Sequence, residues 1–428
     1  MTGKKGEEGK GGEGRIFLNL PVPSPTCVSV NSIVNIQTSV TPTPSHSNEM
    51  EEDDNENLIL LADAAIADMG ISESHTLKEV STDTLIPLVA EFQGGNIKNF
   101  ASNWEKLTSD KNIISIVKYG LTIRFRELPS PSRPFQMECS EAEKPIVQSE
   151  IQKLLHKRVI HSSDCTPNDF FSPVFLRDKQ DGTQKRVILN LKRFNDYLDK
   201  IHFKMESISQ IISMIQPGCW MASFDLKDAY YSVSVHPKHR HYFKFLWNEA
   251  YEYDAMPMGY RDAPRIFTKL LKPVFATLRE RGHQSVIYLD DGFLQGLTYN
   301  QCKLNIMITI RVLIALGFTI HPVKSIFDPV QEITTLGFII NSVTMIIALT
   351  PKKRKKLKRL CIQCLSSPTQ TIRKVAQLVG NLVAATQGVP LAPLYYRRLE
   401  KEKATALKKV RGNYDAKIQP STMVDIKH

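Results

Sequence analysis

Two adjacent aspartates stand at the end of a short apolar run, and they constrain the fold more than any other feature. The run Ser285–Ile287 leads into Tyr288-Leu289-Asp290-Asp291, and a second apolar run, Gly292-Phe293-Leu294, follows at once. Short apolar runs on both sides of a polar turn predict a β-hairpin. A tight turn can direct neighbouring side chains toward one point, although a bare Asp-Asp-Gly turn is more often a solvated surface turn.

A second acidic segment favours a functional role for this turn. Asp225 ends another apolar run, Cys219–Phe224, and is followed by Leu226-Lys227-Asp228. If the two strands are neighbours in one sheet, Asp225 meets Asp290 and Asp291 at its end. Three carboxylates there would repel one another unless a cation lay among them. Mg²⁺ suits such a site because it takes a few carboxylates and leaves positions for phosphate oxygens.

Strand-like and helix-like runs alternate irregularly from about residue 140 to 350, which predicts a mixed α+β domain. The predicted strands are Ser172–Arg177, Arg186–Leu191, Met221–Leu226, Tyr242–Trp247, Ser285–Tyr288 and Leu336–Ile340. The predicted helices are Glu141–Lys157, Ala263–Arg281 and Gln301–Leu316, followed by 352–365, 369–386 and 391–410.

The first 140 residues predict less structure. Residues 1–57 are low in complexity, rich in Pro, Ser and Thr, and end in an acidic run, so we expect a disordered leader. Residues 58–140 predict a connector with short helices, such as Leu58–Met69. Prolines at 129, 131 and 134 predict extended chain.

The charge is concentrated at the C-terminus. The net charge is +11, and residues 351–428 hold 18 basic and 4 acidic side chains. Such a block on a nearly neutral body is typical of a surface that binds a polyanion, with nucleic acid the leading candidate. A solvated helix with surplus lysine is the alternative.

Several classes of protein are disfavoured. No apolar stretch is long enough for a membrane span, and Met1–Arg15 is charged and rich in glycine, unlike a secretory signal. Seven scattered cysteines predict a reducing, intracellular compartment, cytoplasm or nucleus, rather than a disulfide scaffold. Cys361 and Cys364 form a single CxxC pair, and a zinc site would need two further ligands.

The ordered motifs resemble a known family. FDLKDAYYSVSVHPKHRHYFKF, AMPMGYRDAPRIFTKLLKPVF and VIYLDDGF look like the palm motifs of a reverse transcriptase. They are most similar to DIRS-type retrotransposon polymerases and their Gypsy and retroviral relatives. The resemblance, over about residues 90 to 415, implies a right-hand polymerase. Its fingers and palm would be residues 141–349, its helical thumb 350–415 and its tail 416–428.

The resemblance implies the metal ligands. Asp225, Asp290 and Asp291 match the three catalytic aspartates, and the Leu226 carbonyl matches a backbone ligand. Two Mg²⁺ ions, or Mn²⁺ in their place, would be the cofactors. Two ions can activate an attacking hydroxyl and stabilise a leaving oxygen in phosphoryl transfer.

The same resemblance implies the residues that hold substrates. The partners would be an RNA template, a DNA primer, their hybrid and dNTPs. Tyr230 matches the gate that excludes a 2′-hydroxyl, and Lys179 and Arg186 match cations on the triphosphate. The other nucleotide-binding positions are Asp228, Ala229, Met258, Gly259 and Lys324. The template- and primer-binding positions are Pro257, Tyr288, Leu336, Gly337, Lys352, Lys353 and Lys356.

Some residues depart from the family pattern and keep a second hypothesis open. Met258 stands where Gln or Phe is usual, Asp262 where Ser is common, Gly292 where Ile or Leu is usual, and Asn190 where many relatives have Asp. These departures favour a catalytically weak or inactive remnant that binds nucleic acid. An RNA-dependent RNA polymerase is disfavoured by Tyr230. The short tail leads us to expect no RNase H domain, and the oligomeric state stays open.

Overall fold

The structure, a computed structural model, describes residues 91–178 and 185–421. The described residues divide into a main unit, up to residue 347, and a C-terminal unit, from residue 348. Several predicted features lie outside the described residues: the leader 1–57, the helix Leu58–Met69, Lys179, the turn Asp181-Gly182 and the end of the tail, 422–428.

The main unit mixes helices and antiparallel strands. Its described helices are α1 (Ala101–Leu107), α2 (Lys111–Tyr119), α3 (Lys144–His156), α4 (Lys192–Asn195), α5 (Ile208–Met214), α6 (Ala263–Glu280) and α7 (Tyr299–Ala315). Its described strands are β1 (Ile160–Ser162), β2 (Val174–Asp178), β3 (Lys185–Leu189), β4 (Trp220–Asp225), β5 (Lys244–Trp247), β6 (Glu249–Tyr253), β7 (Ser285–Tyr288), β8 (Asp291–Gly296), β9 (Ile326–Val330), β10 (Glu332–Thr335) and β11 (Phe338–Asn341). The division between the units falls within β12 (Ile346–Leu349).

A four-stranded antiparallel sheet, in the order β7-β8-β4-β9, lies at the centre of the main unit. Because side chains alternate along a strand, this sheet has two apolar faces. Phe224 and Leu294 join the larger core on one face, whereas Met221 and Phe293 join a smaller core on the other. The sheet is therefore buried along most of its length, and its polar residues gather where the strands end.

Helix α6 covers the first face because its apolar residues recur three and four positions apart. Ile266, Phe267, Leu270 and Leu271 are among its buried residues. The next helix, α7, begins at a capping box in which Thr298 is the cap. Both helices are close to the predicted ranges.

Two short helices within the predicted connector, α1 and α2, also pack into this core. Trp104 in α1 is fully buried, and its Nε1 donates a hydrogen bond to the Leu316 carbonyl at 3.0 Å. Its ring packs against Phe318 with the centroids 6.0 Å apart. At least residues 91–119 thus belong to the main unit, because they supply contacts that the sheet and helices lack without them.

The six strand predictions agree with the structure to within two residues at each end, and two late starts have local causes. The predicted strand Leu336–Ile340 begins only at Phe338, because Leu336 and Gly337 form the turn of a hairpin with φ angles of +47° and +80°. Similarly, the strand predicted from Tyr242 begins at Lys244, because a 3-10 turn, Pro237–Tyr242, precedes it. Strand β8 contains the second run of the predicted hairpin, Gly292-Phe293-Leu294, whereas β1, β6, β9, β10 and β12 were not among the predicted strands.

The C-terminal unit is mainly helical, with α8 (Pro351–Leu365), α9 (Ile372–Val383) and α10 (Ala392–Lys409). Thr350 caps α8 by accepting a hydrogen bond from the Lys353 amide. The three helices bury a separate core that contains Leu360, Val375 and Leu399. A short pair of strands, β13 (Gln370–Thr371) and β14 (Lys417–Ile418), completes the described part.

The predicted α+β class is confirmed, since helices and antiparallel sheets share one core in the main unit. In the part of the chain that the structure describes, none of the helices combines the length and apolar character that crossing a bilayer requires.

Candidate active site

The three predicted aspartates meet at one end of the central sheet. Asp225 is the last residue of β4 and lies opposite Asp291, the first residue of β8. Asp290 occupies the turn between β7 and β8, where Leu289 takes a positive φ of +58°. Asp225 and Asp291 are paired in register, so their side chains leave the same face of the sheet. The spacing argument made from the sequence is realised in this strand register.

Backbone hydrogen bonds hold this end of the sheet. The Leu226 amide donates to the Asp290 carbonyl at 2.8 Å, which ties the residue after β4 to the aspartate turn. The His321 amide donates to the Asp225 carbonyl at 2.8 Å. The Asp225 amide donates to the Ser325 Oγ at 3.1 Å. The main chain on both sides of Asp225 is thereby fixed while its carboxylate stays available.

The aspartate side chains repel one another electrostatically. Removal of water by the surrounding protein raises the pKa of Asp290, with a further contribution from Asp225. Burial, followed by the charges of Asp290 and Asp225, raises the pKa of Asp291 to about 6. Lys324 opposes both shifts, and its Nζ lies 3.5 Å from each carboxylate oxygen of Asp225. One exposed lysine does not offset three carboxylates, so the site favours an additional cation.

These residues fit an open metal site rather than a closed one. Within residues 91–178 and 185–421, no group of three or more His, Cys, Asp or Glu side chains is arranged so that it could by itself hold a metal ion. The aspartates nonetheless offer the hard oxygen donors that Mg²⁺ prefers, and Asp290 and Asp291 keep solvent-exposed surface although the surrounding protein removes part of the water around their carboxylates. An ion held there would take its remaining ligands from water and from a phosphate-bearing substrate.

Tyr230 lies beside the aspartates in a partly buried position. Burial, followed by the charges of Asp290 and Tyr288, raises the pKa of Tyr230 to about 12, so the phenol is neutral at physiological pH. Its ring packs edge-on against Phe267, with the centroids 5.5 Å apart. Contact with Phe267, which is fully buried, holds the ring in place.

The predicted triphosphate amides lie in a tight turn after β4. Asp228 has a positive φ of +52° and precedes a 3-10 turn that begins at Ala229. Its carboxylate is paired with Lys157 of the loop after α3 at 2.6 Å. This ion pair holds the turn in its conformation in the absence of a substrate.

Arg186 lies on β3, opposite Arg177, in the hairpin formed by β2 and β3. Its charge lowers the pKa of Tyr231, although burial dominates and raises that pKa well above the ordinary value. The Arg186 Nε is buried and has no hydrogen-bond partner among the described residues. Lys179, the predicted companion of Arg186, lies outside the described residues.

The segment Pro257-Met258-Gly259 forms a loop before α6. Pro257 is buried, Met258 is half-buried, and Gly259 is exposed with a positive φ of +93°. Asn195 holds the loop with both ends of its amide: its Nδ2 donates to the Gly259 carbonyl at 2.9 Å, and its Oδ1 accepts from the Arg261 amide at 2.9 Å. This clamp presents Met258 and Gly259 at a fixed place.

The predicted primer-contacting residues Leu336 and Gly337 form the two-residue turn between β10 and β11. Positive φ at both residues gives the turn the twist that suits a hairpin. Leu336 packs against the smaller core, while Gly337 leaves the tip of the turn free of a side chain. The structure thus presents backbone at this tip.

The departures from the family pattern are accommodated locally. A side chain at Gly292 would overlap the ring of Phe224, which fills that space. Asp262 is buried and paired with Arg265. Asn190 is exposed, and its Oδ1 accepts a hydrogen bond from the Lys192 amide at 3.2 Å. None of these residues disturbs the three aspartates.

The basic helix α8 presents most of its cations to solvent. Lys352 and Lys356 are exposed, whereas Lys353 is half-buried and donates to the Ala384 carbonyl at 3.1 Å. Burial lowers the pKa of Lys353, with a smaller effect from Lys356. Cys361 and Cys364 are free thiols that pack in the core of the C-terminal unit.

Ser325, Asn195 and Phe224 were missed as functional residues by sequence reasoning. Each acts through a partner distant in the chain, so no local motif marks it. The sequence offered one signal, the glycine at position 292 where Ile or Leu is usual. A glycine there leaves room for a neighbouring side chain, which the structure shows to be the ring of Phe224.

Comparison with known proteins agrees with the motif assignment. Residues 174–340 match the family described as reverse transcriptase (RNA-dependent DNA polymerase). The Gag-Pol polyprotein of woolly monkey sarcoma virus is 24% identical over 291 residues, which cover 64% of this chain and 16% of the viral protein. That of gibbon ape leukemia virus is 25% identical over 291 residues, with the same coverage. The chain therefore spans only 16% of the length of these relatives.

Solved structures support the fold. A foamy viral protease-reverse transcriptase in complex with double-stranded DNA matches with a TM-score of 0.56 and 17% identity, over 79% of this chain and 60% of that one. The foamy viral protease-reverse transcriptase in complex with an RNA/DNA hybrid matches with a TM-score of 0.52 and 16% identity, over 85% and 49%. The fold is that of the reverse transcriptases, which confirms the predicted right-hand architecture.

Proposed function

We propose that this protein is the RNA-directed DNA polymerase of a retroelement, which transfers nucleotides from dNTPs to the 3′-hydroxyl of a primer. The observation that carries the proposal is the convergence of Asp225, Asp290 and Asp291 at one end of the central sheet. It is supported by the reverse transcriptase match over residues 174–340.

The aspartates hold the metal in this proposal. Asp225, Asp290, Asp291 and the Leu226 carbonyl would bind two Mg²⁺ ions, or Mn²⁺ in their place. When bound, the ions supply activation of the attacking oxygen and stabilisation of the leaving oxygen. Lys324, which contacts Asp225, neutralises charge near the departing pyrophosphate. The fixed main chain around Asp225 orients its carboxylate before substrate arrives.

The surrounding residues bind and select the nucleotide. The amides of Asp228 and Ala229, together with Lys179 and Arg186, hold the triphosphate. Tyr230 lies under the sugar and excludes a 2′-hydroxyl, which is supported by the packing of its ring against Phe267. Met258 and Gly259 pack against the incoming base.

The template and primer occupy two regions in this proposal. Pro257, Tyr288, Leu336 and Gly337 contact them near the aspartates. Lys352, Lys353 and Lys356 contact phosphates of the hybrid, since cations on an exposed helix release counterions from the nucleic acid. Residues 141–349 then act as fingers and palm and residues 350–415 as the thumb.

The segments that carry the motifs favour a DIRS-type element within the broader retroviral and Gypsy group. Two of these segments, residues 224–245 and 286–293, contain all three aspartates.

A catalytically weak remnant is the competing function. Its support comes from Met258, which cannot donate the hydrogen bond that Gln would supply at this place. The other departures weigh less, because Asp262 and Gly292 have structural partners in this chain.

Primer extension decides between the two functions. The purified full-length chain, with an RNA template, a DNA primer, dNTPs and Mg²⁺ or Mn²⁺, should extend the primer. Asp290→Asn should abolish extension and leave binding of the RNA–DNA hybrid within about threefold, because the substitution removes charge but not shape.

Binding of the hybrid without extension by the unmutated chain would favour the remnant. Equal extension by the chain and by Asp290→Asn would refute the metal assignment.

A further inference from the structure

We propose that Phe224 and Gly292 form a matched pair that sets the spacing of the strand ends carrying Asp225 and Asp291. The two are positioning residues, because neither is proposed to touch metal or substrate. The inference rests on the proposed function, in which Asp225 and Asp291 hold the same metal ions.

The pair lies directly beside the aspartates. Phe224 precedes Asp225 on β4, Gly292 follows Asp291 on β8, and the two residues face each other in register. Because side chains alternate along a strand, Phe224 and Gly292 lie on the opposite face of the sheet from the two aspartates. Phe224 is therefore next to Asp225 in the chain, but its ring lies on the other face of the sheet, in the core that α6 covers.

The fit between the ring and the glycine is tight. A Cβ at position 292 would lie 2.1 Å from both Cε1 and Cζ of Phe224 and 2.7 Å from its Cδ1. These distances are far below van der Waals contact, so the two strands have this register and spacing only with glycine at 292 or a smaller residue at 224.

The ring has little room to move away. Phe224 is 2% exposed, and its ring stacks on Phe275 of α6 with the planes 8° apart and the centroids 6.3 Å apart. A side chain at 292 would therefore either displace the ring against α6 or push β8 away from β4. Because dense cores transmit such strain, the displacement reaches the aspartates.

The Leu226–Asp290 contact makes the aspartates sensitive to that displacement. The Leu226 amide and the Asp290 carbonyl, 2.8 Å apart, join the ends of the two strands beyond the pair. Separation of the strands would lengthen this bond and change the distance between the carboxylates. The ladder pairing of β4 with β8, which reaches Asp225 and Asp291, would be disturbed with it.

Metal binding tests the pair without relying on catalysis. Binding of Mn²⁺ to the metal-free, full-length chain is measured by electron paramagnetic resonance. We expect Gly292→Ala to weaken Mn²⁺ binding on the order of tenfold, which is the scale of a modest overpacking strain. We expect Phe224→Leu together with Gly292→Ala to restore affinity to within about threefold of the original, because the smaller side chain makes room for the methyl group.

Gly296→Ala is the matched control. Gly296 is also on β8, but at its far end, where a Cβ would lie 2.2 Å from the Cys302 amide nitrogen. This variant should lose at least as much thermal stability as Gly292→Ala, because backbone cannot move aside as a side chain can. Its affinity for Mn²⁺ should change by less than about twofold, because the strain lies far from the aspartates.

Two results would overturn the inference. One is a Gly292→Ala protein that binds Mn²⁺ as well as Gly296→Ala does. The other is a double variant that binds Mn²⁺ no better than Gly292→Ala. If Gly292→Ala does not fold, Phe224→Leu alone replaces it: it should weaken Mn²⁺ binding about threefold, and adding Gly292→Ala should recover the loss.

Primer extension separates this inference from the proposed function. If the unmutated chain binds Mn²⁺ with this pattern among the variants but extends no primer, the pair is upheld and the polymerase activity is refuted. If the chain extends primers but the variants differ only in stability, the activity stands and the pair is refuted.

Discussion

The two ends of the central sheet carry opposite kinds of polar chemistry, one from the aspartates and the other from Gln295 of β8 and Asn305 of the adjoining helix α7. At one end, Asp225, Asp290 and Asp291 are charged groups that repel one another. At the other end, Gln295 and Asn305 are neutral and buried. The Gln295 Nε2 donates to the Met214 carbonyl at 2.9 Å, and the Asn305 Nδ2 donates to the carbonyls of Gln284 and Gln295.

The contrast suggests a division of roles between the two ends of the sheet, one serving activity and the other stability. The aspartate end is electrostatically strained without a cation, whereas at the neutral end these amides satisfy buried carbonyls. Substitutions at the aspartate end should therefore change chemistry and spare the fold. Substitutions at the neutral end should do the reverse, and the following experiments, in order of decreasing expected effect, test this division.

Asp225→Asn should have the largest effect. The amide keeps the shape of the carboxylate but not its charge, so extension should fall by about a thousandfold, as expected when a transition-state contact is lost. The melting temperature should stay the same or rise, because repulsion is relieved. Asp328→Asn, on the exposed side of β9, is the control and should extend normally. Loss of folding in Asp225→Asn would break the comparison.

Asn305→Leu should strongly destabilise the protein and leave the chemistry of the folded fraction intact. The substitution deprives two carbonyls of their donor, at a cost of about 2–4 kcal/mol in the free energy of unfolding. Urea denaturation measures the loss, and kcat per folded molecule should stay within about twofold. Asn99→Ala, which removes an exposed amide, should cost under about 0.5 kcal/mol. A fall in kcat without a fall in stability would contradict the division.

His283 should make the neutral end sensitive to acid. Burial, followed by the charge of Arg281, lowers the pKa of His283 to about 4 from an ordinary 6.5. The unfolded chain takes up this proton first, so the stabilising contribution is complete above pH 6.5 and is lost as the pH falls toward about 4. The loss is about 2–3 kcal/mol. Denaturation between pH 7 and 4 measures it, and His283→Asn should flatten the profile.

At the aspartate end, acid should change the free energy of unfolding in the opposite direction. The raised pKa of Asp291 means that its destabilising repulsion is relieved as the pH falls through about 6. The metal-free Asp291→Asn protein lacks this gain in stability at low pH. Its free energy of unfolding should therefore fall more between pH 7 and 4 than that of the unmutated protein. If the substitution leaves the pH profile of the metal-free protein unchanged, the two ends do not differ in this way.

Tyr230→Ala should have the smallest effect on overall activity. Removing the ring opens space beside the sugar, so selection against ribonucleotides should fall about tenfold or more. The ratio of kcat/KM for dNTP to that for the matching rNTP measures it. Tyr230→Phe keeps the ring and should keep the ratio. An unchanged ratio in Tyr230→Ala would remove Tyr230 from the nucleotide site.

The residues that sequence reasoning located share a local signal. Asp290 and Asp291 follow an apolar strand directly, and Asp225 ends another, so alternation and turn chemistry place them at strand ends. The α+β class followed from the same short-range patterns. Tyr230 was placed by its motif, although its packing against Phe267 could not be foreseen.

The residues that sequence reasoning missed depend on long-range register. Asn305 acts on carbonyls 10 and 21 residues away, and Asn195 clamps a loop 64 residues away. The fit of Phe224 to Gly292 exists only because β4 and β8 pair in one register. A shift of one residue would remove it, and nothing in either segment alone specifies that register.

The hydrogen bond from Trp104 to Leu316 bears on where the chain can be shortened for expression. A protein that starts at residue 141, where the motif-bearing segment was predicted to begin, would lose this indole and leave a buried pocket open to water. Such trimming invites aggregation through the uncovered apolar surface around Phe318. Recombinant boundaries therefore belong before residue 91, and protease digestion of the full chain should leave α1 and α2 attached to the core.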